Sequence, residues 1–168
     1  MANDYSTMTT RLVSELAAGL VASYPAIAVV GKLFKPNDLA DFTRYCIVVS
    51  PNAQPWEERR TGVPQIQYIL RADLWLLVKN FDEAASLYGT TAGSLGLFEL
   101  INDVKVLLRL TGLSGLIGPG NKTYDEPAGP LNFEGNAVSA FDSGEKAFIH
   151  RARLVYTARL NPFCHPRL

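Results

Sequence analysis

The chain has 168 residues, the size of one domain, and such a chain buries roughly 70% of the surface that it exposes when unfolded. Hydrophobic residues make up 48% and charged residues 19%, a balance that argues against intrinsic disorder. Sixteen basic and sixteen acidic residues cancel, which argues against duplex nucleic acid as the main ligand because such binding usually needs a clustered basic face. We therefore treat residues 1–168 as a single domain with a C-terminal tail at about 161–168.

We expect no export or membrane signal from the sequence. Its start, Met1 to Tyr5, lacks a basic segment followed by an apolar stretch, and no later apolar run reaches the roughly 18 residues of a membrane span. Cys46 lies in a strand-like run and Cys164 in a Pro-rich tail, so neither suggests a disulfide framework. We expect a cytosolic product with two free thiols, of which Cys46 is buried.

The first third of the chain predicts one helix and two strands. Apolar residues recur every three to four positions up to about Ser23, with Ser6 or Thr9 placed to cap the start of a helix. Pro25 ends this pattern, and the Ile- and Val-rich run Ala26 to Phe34 predicts a strand. A second strand is predicted at about Arg44 to Ser50, paired with the first.

A Pro-rich, charged run separates these strands from a long third one. Pro51 to Pro64 contains Trp56 and the run Glu57-Glu58-Arg59-Arg60, and we predict an exposed loop there. The charges could contact a partner or form a solvated loop tip, and the two alternatives weigh equally. Gln65 to Lys79 alternates apolar and polar residues and predicts a half-buried strand, long enough to bend at a bulge or project beyond the sheet.

The remainder predicts a second long helix and closing strands. Phe81 to Gly93 indicates a helical turn, and Ser94 can cap the helix after it. Residues 111–130 are predicted as a loop, 131–141 give weak strand signals, and Ala147 to Leu160 predicts the last strand. The helix after Ser94 has this apolar stripe: Leu97, Leu100, Ile101, Val104, Leu107 and Leu108.

This order of elements predicts an α+β fold, with a mixed, mainly antiparallel sheet and two helices packed on one face. The other face can remain wet or receive a neighbouring subunit. Its charged residues could also pair across strands within one chain, each pair contributing about 0.2–1 kcal/mol. The residues predicted on that face are Arg71, Asp73, Trp75, Arg151, Arg153, Val155 and Arg159.

Three groups of residues suggest chemistry, and each has a simpler structural explanation. Residues 115–123 resemble a phosphate-binding loop, but Asn121 breaks the motif and a helix precedes it, so we favour an ordinary loop. His150 and His165 have no second ligand at zinc spacing. Glu99 and Asp103 lie one helical turn apart, where a solvated helix face is the favoured interpretation. We predict no catalytic residue, no cofactor and no metal site.

The layout resembles that of the tail terminator, or tail-completion, proteins of long-tailed bacteriophages. The resemblance is carried by Gln67 to Val78, Gly96 to Lys105, and the Arg-bearing strand Arg151 to Leu160. It implies a virion protein of the tail and neck, made in the host cytoplasm, whose six copies form a ring. That ring caps the tail tube and contacts the neck or head-completion proteins. We expect no membrane partner and no sequence-specific binding of nucleic acid. Genome DNA could pass through the ring.

A ring needs contacts in which one patch of each subunit meets a different patch of the next. We place the candidate interface on the polar sheet face and the charged run, by position and chemistry. Its residues are Trp56, Glu57, Glu58, Arg59, Arg60, Arg71, Asp73, Trp75, Arg151, Arg153 and Arg159.

Two alternatives stay open. The chain could be another neck or tail subunit, such as a tube or head-completion protein. It could also be a small ligand-binding domain or enzyme that uses Lys122, Asp125 and Glu126 on the Gly-rich loop.

Overall fold

The computed structural model describes residues 2–35, 43–62, 65–91, 93–110, 131–140 and 146–160. Its elements in chain order are α1 (Ala2–Leu20), β1 (Ala28–Gly31), β2 (Tyr45–Gly62), β3 (Gln65–Asn80), α2 (Glu83–Tyr88), α3 (Leu97–Leu110), β4 (Leu131–Ala140) and β5 (Lys146–Leu160).

The strands of the described chain form one five-stranded sheet in the order β1-β2-β3-β5-β4. β1 runs parallel to β2, with Ala28 opposite Cys46, and the other neighbouring strands are antiparallel. This arrangement confirms the predicted α+β class with a mixed, mainly antiparallel sheet. The predicted pairing of the first two strands is confirmed as well.

One face of the sheet carries the main core. The even-numbered side chains of β3 from Leu70 to Val78, and those of β5 from Ala152 to Tyr156, meet the apolar stripes of the helices. Burying a large apolar side chain stabilises a fold by about 1.5–3 kcal/mol, so these contacts hold the helices on the sheet. The stripe predicted for α3 is confirmed: Leu97, Leu100, Ile101, Val104 and Leu108 are buried and Leu107 packs against them.

Three described helices cover this face, whereas the sequence predicted two. The additional one is α2, which forms where a helical turn was anticipated within residues 81–93. The Asp82 side chain caps it by accepting from the backbone N–H of Ala85, and Gly89 ends it with a φ of 74°.

The second face of the sheet buries more apolar side chains than the sequence predicted. Cys46, Val48, Leu77 and Ile149 form a small buried cluster there, and Phe34 packs against it. The sequence pattern indicated a face that can remain wet because it places Arg151, Arg153 and Arg159 on this side of β5. The buried Cys46 agrees with the expectation for that thiol.

The predicted loop from Pro51 to Pro64 is wrong, because β2 continues to Gly62. Residues from Trp56 to Gly62 pair with β3. The register shifts between Pro51 and Trp56, and this bulge accommodates Pro55 outside the ladder, where a missing N–H costs no strand hydrogen bond. The bulge that the sequence predicted for the long third strand, β3, therefore lies in its neighbour β2.

The boundaries of the first helix and strand also differ from the prediction. α1 begins at Ala2, before Ser6 and Thr9, so neither residue caps it, and it ends at Leu20 rather than near Ser23. β1 begins at Ala28 because Ala26 has a φ of 59°, which is incompatible with a strand, and it ends at Gly31 rather than at the predicted Phe34.

Ser94 does not cap α3, contrary to the prediction. The first helical bond runs from the Leu100 N–H to the Gly96 carbonyl, and the Glu99 carboxylate accepts from the Gly96 N–H at 3.0 Å. A Cβ at position 96 would collide with the carbonyl oxygen of Leu87, so the backbone of the α2–α3 connection leaves room for glycine alone. Ser94 bonds Thr90 instead, at 2.8 Å between their hydroxyls.

The predicted strands at 131–141 and Ala147 to Leu160 correspond to β4 and β5. The predicted loop 111–130, the tail 161–168 and the residues Cys164 and His165 lie outside the described residues.

Candidate subunit interface

The predicted interface residues occupy the second face of the sheet and the extension of β2. The five residues from Trp56 to Arg60 lie in β2, with Trp56 opposite Leu70 and Arg60 opposite Ile66. Arg159 lies in β5 opposite Ile69. For Trp56, Glu58, Arg59, Arg60 and Arg159 the structure describes the backbone alone.

The other predicted residues come together on the second face, which we call the arginine face: Arg71, Asp73, Trp75, Arg151 and Arg153. Cross-strand pairing places Trp75 opposite Arg153 and Asp73 opposite Val155. The structure thus brings together residues that are about 80 positions apart in the sequence, as the predicted alternation required.

Two acidic side chains balance part of the positive charge on the arginine face. The Arg71 guanidinium lies 2.5 Å from the Glu57 carboxylate, with the two side chains 20% and 37% exposed. Asp73 is 6% exposed, accepts from the Asn52 amide at 2.7 Å, and lies 3.7 Å from Arg153. These pairs favour the cross-strand alternative for Arg71 and Asp73, since both engage groups of their own chain.

The aromatic residues of this face form a stack. The rings of Phe34 and Trp75 lie 4.3 Å apart and nearly parallel, and the Arg153 guanidinium lies 5.5 Å above the Trp75 ring. The backbone N–H of Phe34 donates to the Ser50 hydroxyl at 3.2 Å, which fixes the segment after β1 over the sheet. Trp75 is consequently half-buried rather than free on the surface.

Arg151 adds a buried hydrogen-bond donor to the arginine face. Its Nε is buried and has no hydrogen-bond partner among the described residues, while the side chain as a whole is half-exposed. A buried donor without an acceptor costs about 1–3 kcal/mol, and a guanidinium presents further N–H donors in a fixed fork. The arginine face therefore suits a partner that presents carboxylates or carbonyl oxygens.

Sequence reasoning missed Phe34 and Asn52 as members of this site. Phe34 was placed inside a predicted strand and Asn52 inside a predicted loop. Their contributions depend on the path of the chain after β1 and on the bulge in β2, neither of which has a periodic signal in the sequence.

The predicted alternatives for acid–base chemistry serve structural roles. Glu99 caps α3, and Asp103 accepts a hydrogen bond of 2.7 Å from the Tyr24 hydroxyl. His150 is 2% exposed and its Nδ1 contacts the Ser86 hydroxyl of α2, which itself donates to the Glu83 carbonyl. Burial lowers the pKa of His150 below its ordinary value, against a smaller opposing effect of the Glu83 charge.

The described part of the chain contains no group of three His, Cys, Asp or Glu side chains placed to hold a metal ion. Residues 115–123 and the alternative ligand-binding residues Lys122, Asp125 and Glu126 lie outside the described ranges. None of the helices in those ranges combines the length and apolarity needed to cross a membrane.

No protein-family model matches the chain, and no curated protein matches it. The chain is similar to a chain in a solved structure of the "Virion of native gene transfer agent (GTA) particle". The two are 13% identical with a TM-score of 0.46, and the match covers 91% of this chain and 93% of that chain.

Proposed function

We propose that this chain is a structural virion subunit, a tail terminator whose copies form a ring that caps the tail tube and joins it to the neck of the head. The observation that carries the proposal is a pair of strands that continues well past the helix-covered core. We call this extension the arm and define it as Trp56–Gly62 of β2 and Gln65–Ile69 of β3.

The lengths of the elements explain why the arm extends beyond the core. β3 has 16 residues and so spans about 53 Å, whereas α3 with 14 residues spans about 21 Å. Among the described side chains, members of the main core on β3 run from Leu70 to Val78, and the backbone pairing of β2 and β3 continues beyond them to Gly62 and Gln65. A paired arm of this kind supplies backbone and side chains for contact with another subunit.

The arginine face supplies a second contact surface. Arginine and aromatic residues are enriched in the buried centres of protein interfaces, and this face combines three arginines with Trp75. Two distinct surfaces on one subunit meet the requirement of a ring for heterologous contacts. Among virion subunits, we choose a tail terminator because of the arm and because of the sequence resemblance.

Electron microscopy of the purified protein, alone and with isolated tail tubes, tests the proposal. We expect rings of about six subunits and additional density at one end of each tube. A protein that stays monomeric and leaves the tube ends bare contradicts the proposal. Binding along the tube or in the head would instead assign the chain to another neck or tail subunit.

A further inference from the structure

We propose that the arginine face of one subunit binds a patch on the helix layer of the next copy, which we call the aromatic–acidic patch: Asp82, Glu83, Tyr88 and Phe98. This inference rests on the proposed ring and names both halves of one contact between neighbouring subunits, in addition to the contact of the arm.

The aromatic–acidic patch exposes large rings beside carboxylates. Tyr88 is 65% exposed and Phe98 is 43% exposed, and their rings lie 5.4 Å apart. Asp82 and Glu83 are exposed at the start of α2, and Tyr88 lies at its end. Clustered exposed rings of this kind mark a contact surface more often than an ordinary solvated one.

The charges of the two surfaces are complementary. Asp82 and Glu83 give the aromatic–acidic patch two exposed carboxylates, whereas Glu99 and Asp103 are bonded to Gly96 and Tyr24 within the chain. The arginine face has three arginines against Asp73, with Glu57 as a further acidic neighbour. Because the chain as a whole is neutral, this separation of charge between two surfaces favours attraction between copies.

The positions of the two surfaces determine the symmetry of the contact. α2 packs on the helix-covered side, where Ser86 meets His150, and the arginine face lies on the other side of the sheet. One copy cannot bring these two surfaces together, and a two-fold dimer cannot form both contacts at once. The contact is therefore heterologous, the type that builds rings.

The chemistry of the contact follows from the groups on each side. Carboxylates of Asp82 and Glu83 can accept from the guanidinium groups of the arginine face. The Tyr88 and Phe98 rings offer faces on which guanidinium groups stack.

The test compares ring assembly of the wild-type chain with that of a Glu83→Lys/Tyr88→Lys double variant, by sedimentation over a range of concentrations. We expect the variant to need at least about tenfold more protein for half-assembly, since two favourable contacts become repulsive. Val21→Lys is the matched control, because Val21 is 55% exposed outside the patch, and it should assemble like the wild type. Thermal unfolding of each monomer confirms that the variants are folded.

An Arg151→Gln variant tests the other half of the contact and should weaken assembly in the same way. Mixing it with the double variant leaves one intact surface of each kind, so the mixture should form one-to-one dimers and nothing larger. Variants that assemble as readily as the wild type overturn this inference but do not contradict the proposed ring. A wild-type chain that forms no ring, even with tail tubes, overturns the proposed function itself.

Discussion

Tyr24 shows how one side chain joins two helices. It lies just after α1, is fully buried, and donates to the Asp103 carboxylate of α3 at 2.7 Å. Burial raises the pKa of the Tyr24 hydroxyl, and the hydrogen bond to Asp103 and its negative charge raise it further. The hydroxyl therefore stays protonated as a donor, and the residue at 103 has a structural role that helical spacing alone could not reveal.

Tyr24→Phe should lower the free energy of unfolding by about 1–2 kcal/mol, because the hydrogen bond to a charged acceptor is lost. Urea unfolding measures this change. Tyr88→Phe is the control, since Tyr88 is largely exposed, and it should change stability by less than about 0.5 kcal/mol. Equal effects of the two substitutions would contradict the assigned role of Tyr24.

His150 should make stability depend on pH. Its native pKa is lowered from 6.5 by burial, so the unfolded chain binds the proton more readily. Its contribution to stability is then fully present above about pH 6.5 and is lost as the pH falls from there through the lowered native pKa. Between pH 7.5 and lower pH, thermal unfolding should show a smaller loss of stability for His150→Gln than for the wild type. An equal loss of stability in both proteins would contradict the role of His150.

At the scale of elements, the α2–α3 connection depends on close backbone contact. Gly96 caps α3 while touching the backbone of Leu87 and Gly89. The connection thus fixes α2 against α3, and α2 in turn holds His150 and presents Tyr88 beside Phe98. The aromatic–acidic patch is therefore set by the packing of one glycine.

Gly96→Ala should destabilise the protein by about 2–3 kcal/mol, because the new methyl group would meet backbone atoms that cannot turn away. Gly19→Ala is the control. There the methyl group meets the end of the Leu107 side chain, which can change rotamer, and alanine favours the helix by about 1 kcal/mol. Chemical unfolding of both variants measures the difference, and a Gly96→Ala variant as stable as Gly19→Ala would refute it.

At the scale of the whole molecule, we expect the arm to serve assembly of the ring rather than folding of the core. The main core on β3 begins at Leu70 among the described side chains, and the arm adds strand pairing beyond it. The core should consequently fold without the end of the arm, while the ring should need it.

Replacing residues 59–67 by an Asn-Gly turn joins Glu58 to Tyr68, which face each other in the sheet, and retains the Glu57–Arg71 ion pair. We expect a cooperatively unfolding monomer that no longer forms rings. Circular dichroism and electron microscopy provide the two measurements. Rings of normal size from the shortened chain would show that the arm is dispensable.

The sequence by itself determined the elements whose burial repeats with a regular period. The α3 stripe and the alternating β3 and β5 strands were predicted because side chains of a helix or strand alternate with fixed spacing. The α+β class followed from their order. The tail-terminator assignment and the hexameric ring stay predictions from the resemblance.

Tertiary structure alone decided the features that depend on contacts between distant residues. Trp56 to Arg60 joined a strand because β3 offered an unpaired edge, although prolines and charges predicted a loop. Gly96 replaced Ser94 as the helix cap because the backbone of α2 lies too close for a side chain. The second face of the sheet has a buried cluster because Phe34, from the segment after β1, packs on it and stacks against Trp75. Local pattern cannot encode these outcomes, since each depends on which segment lies alongside in space.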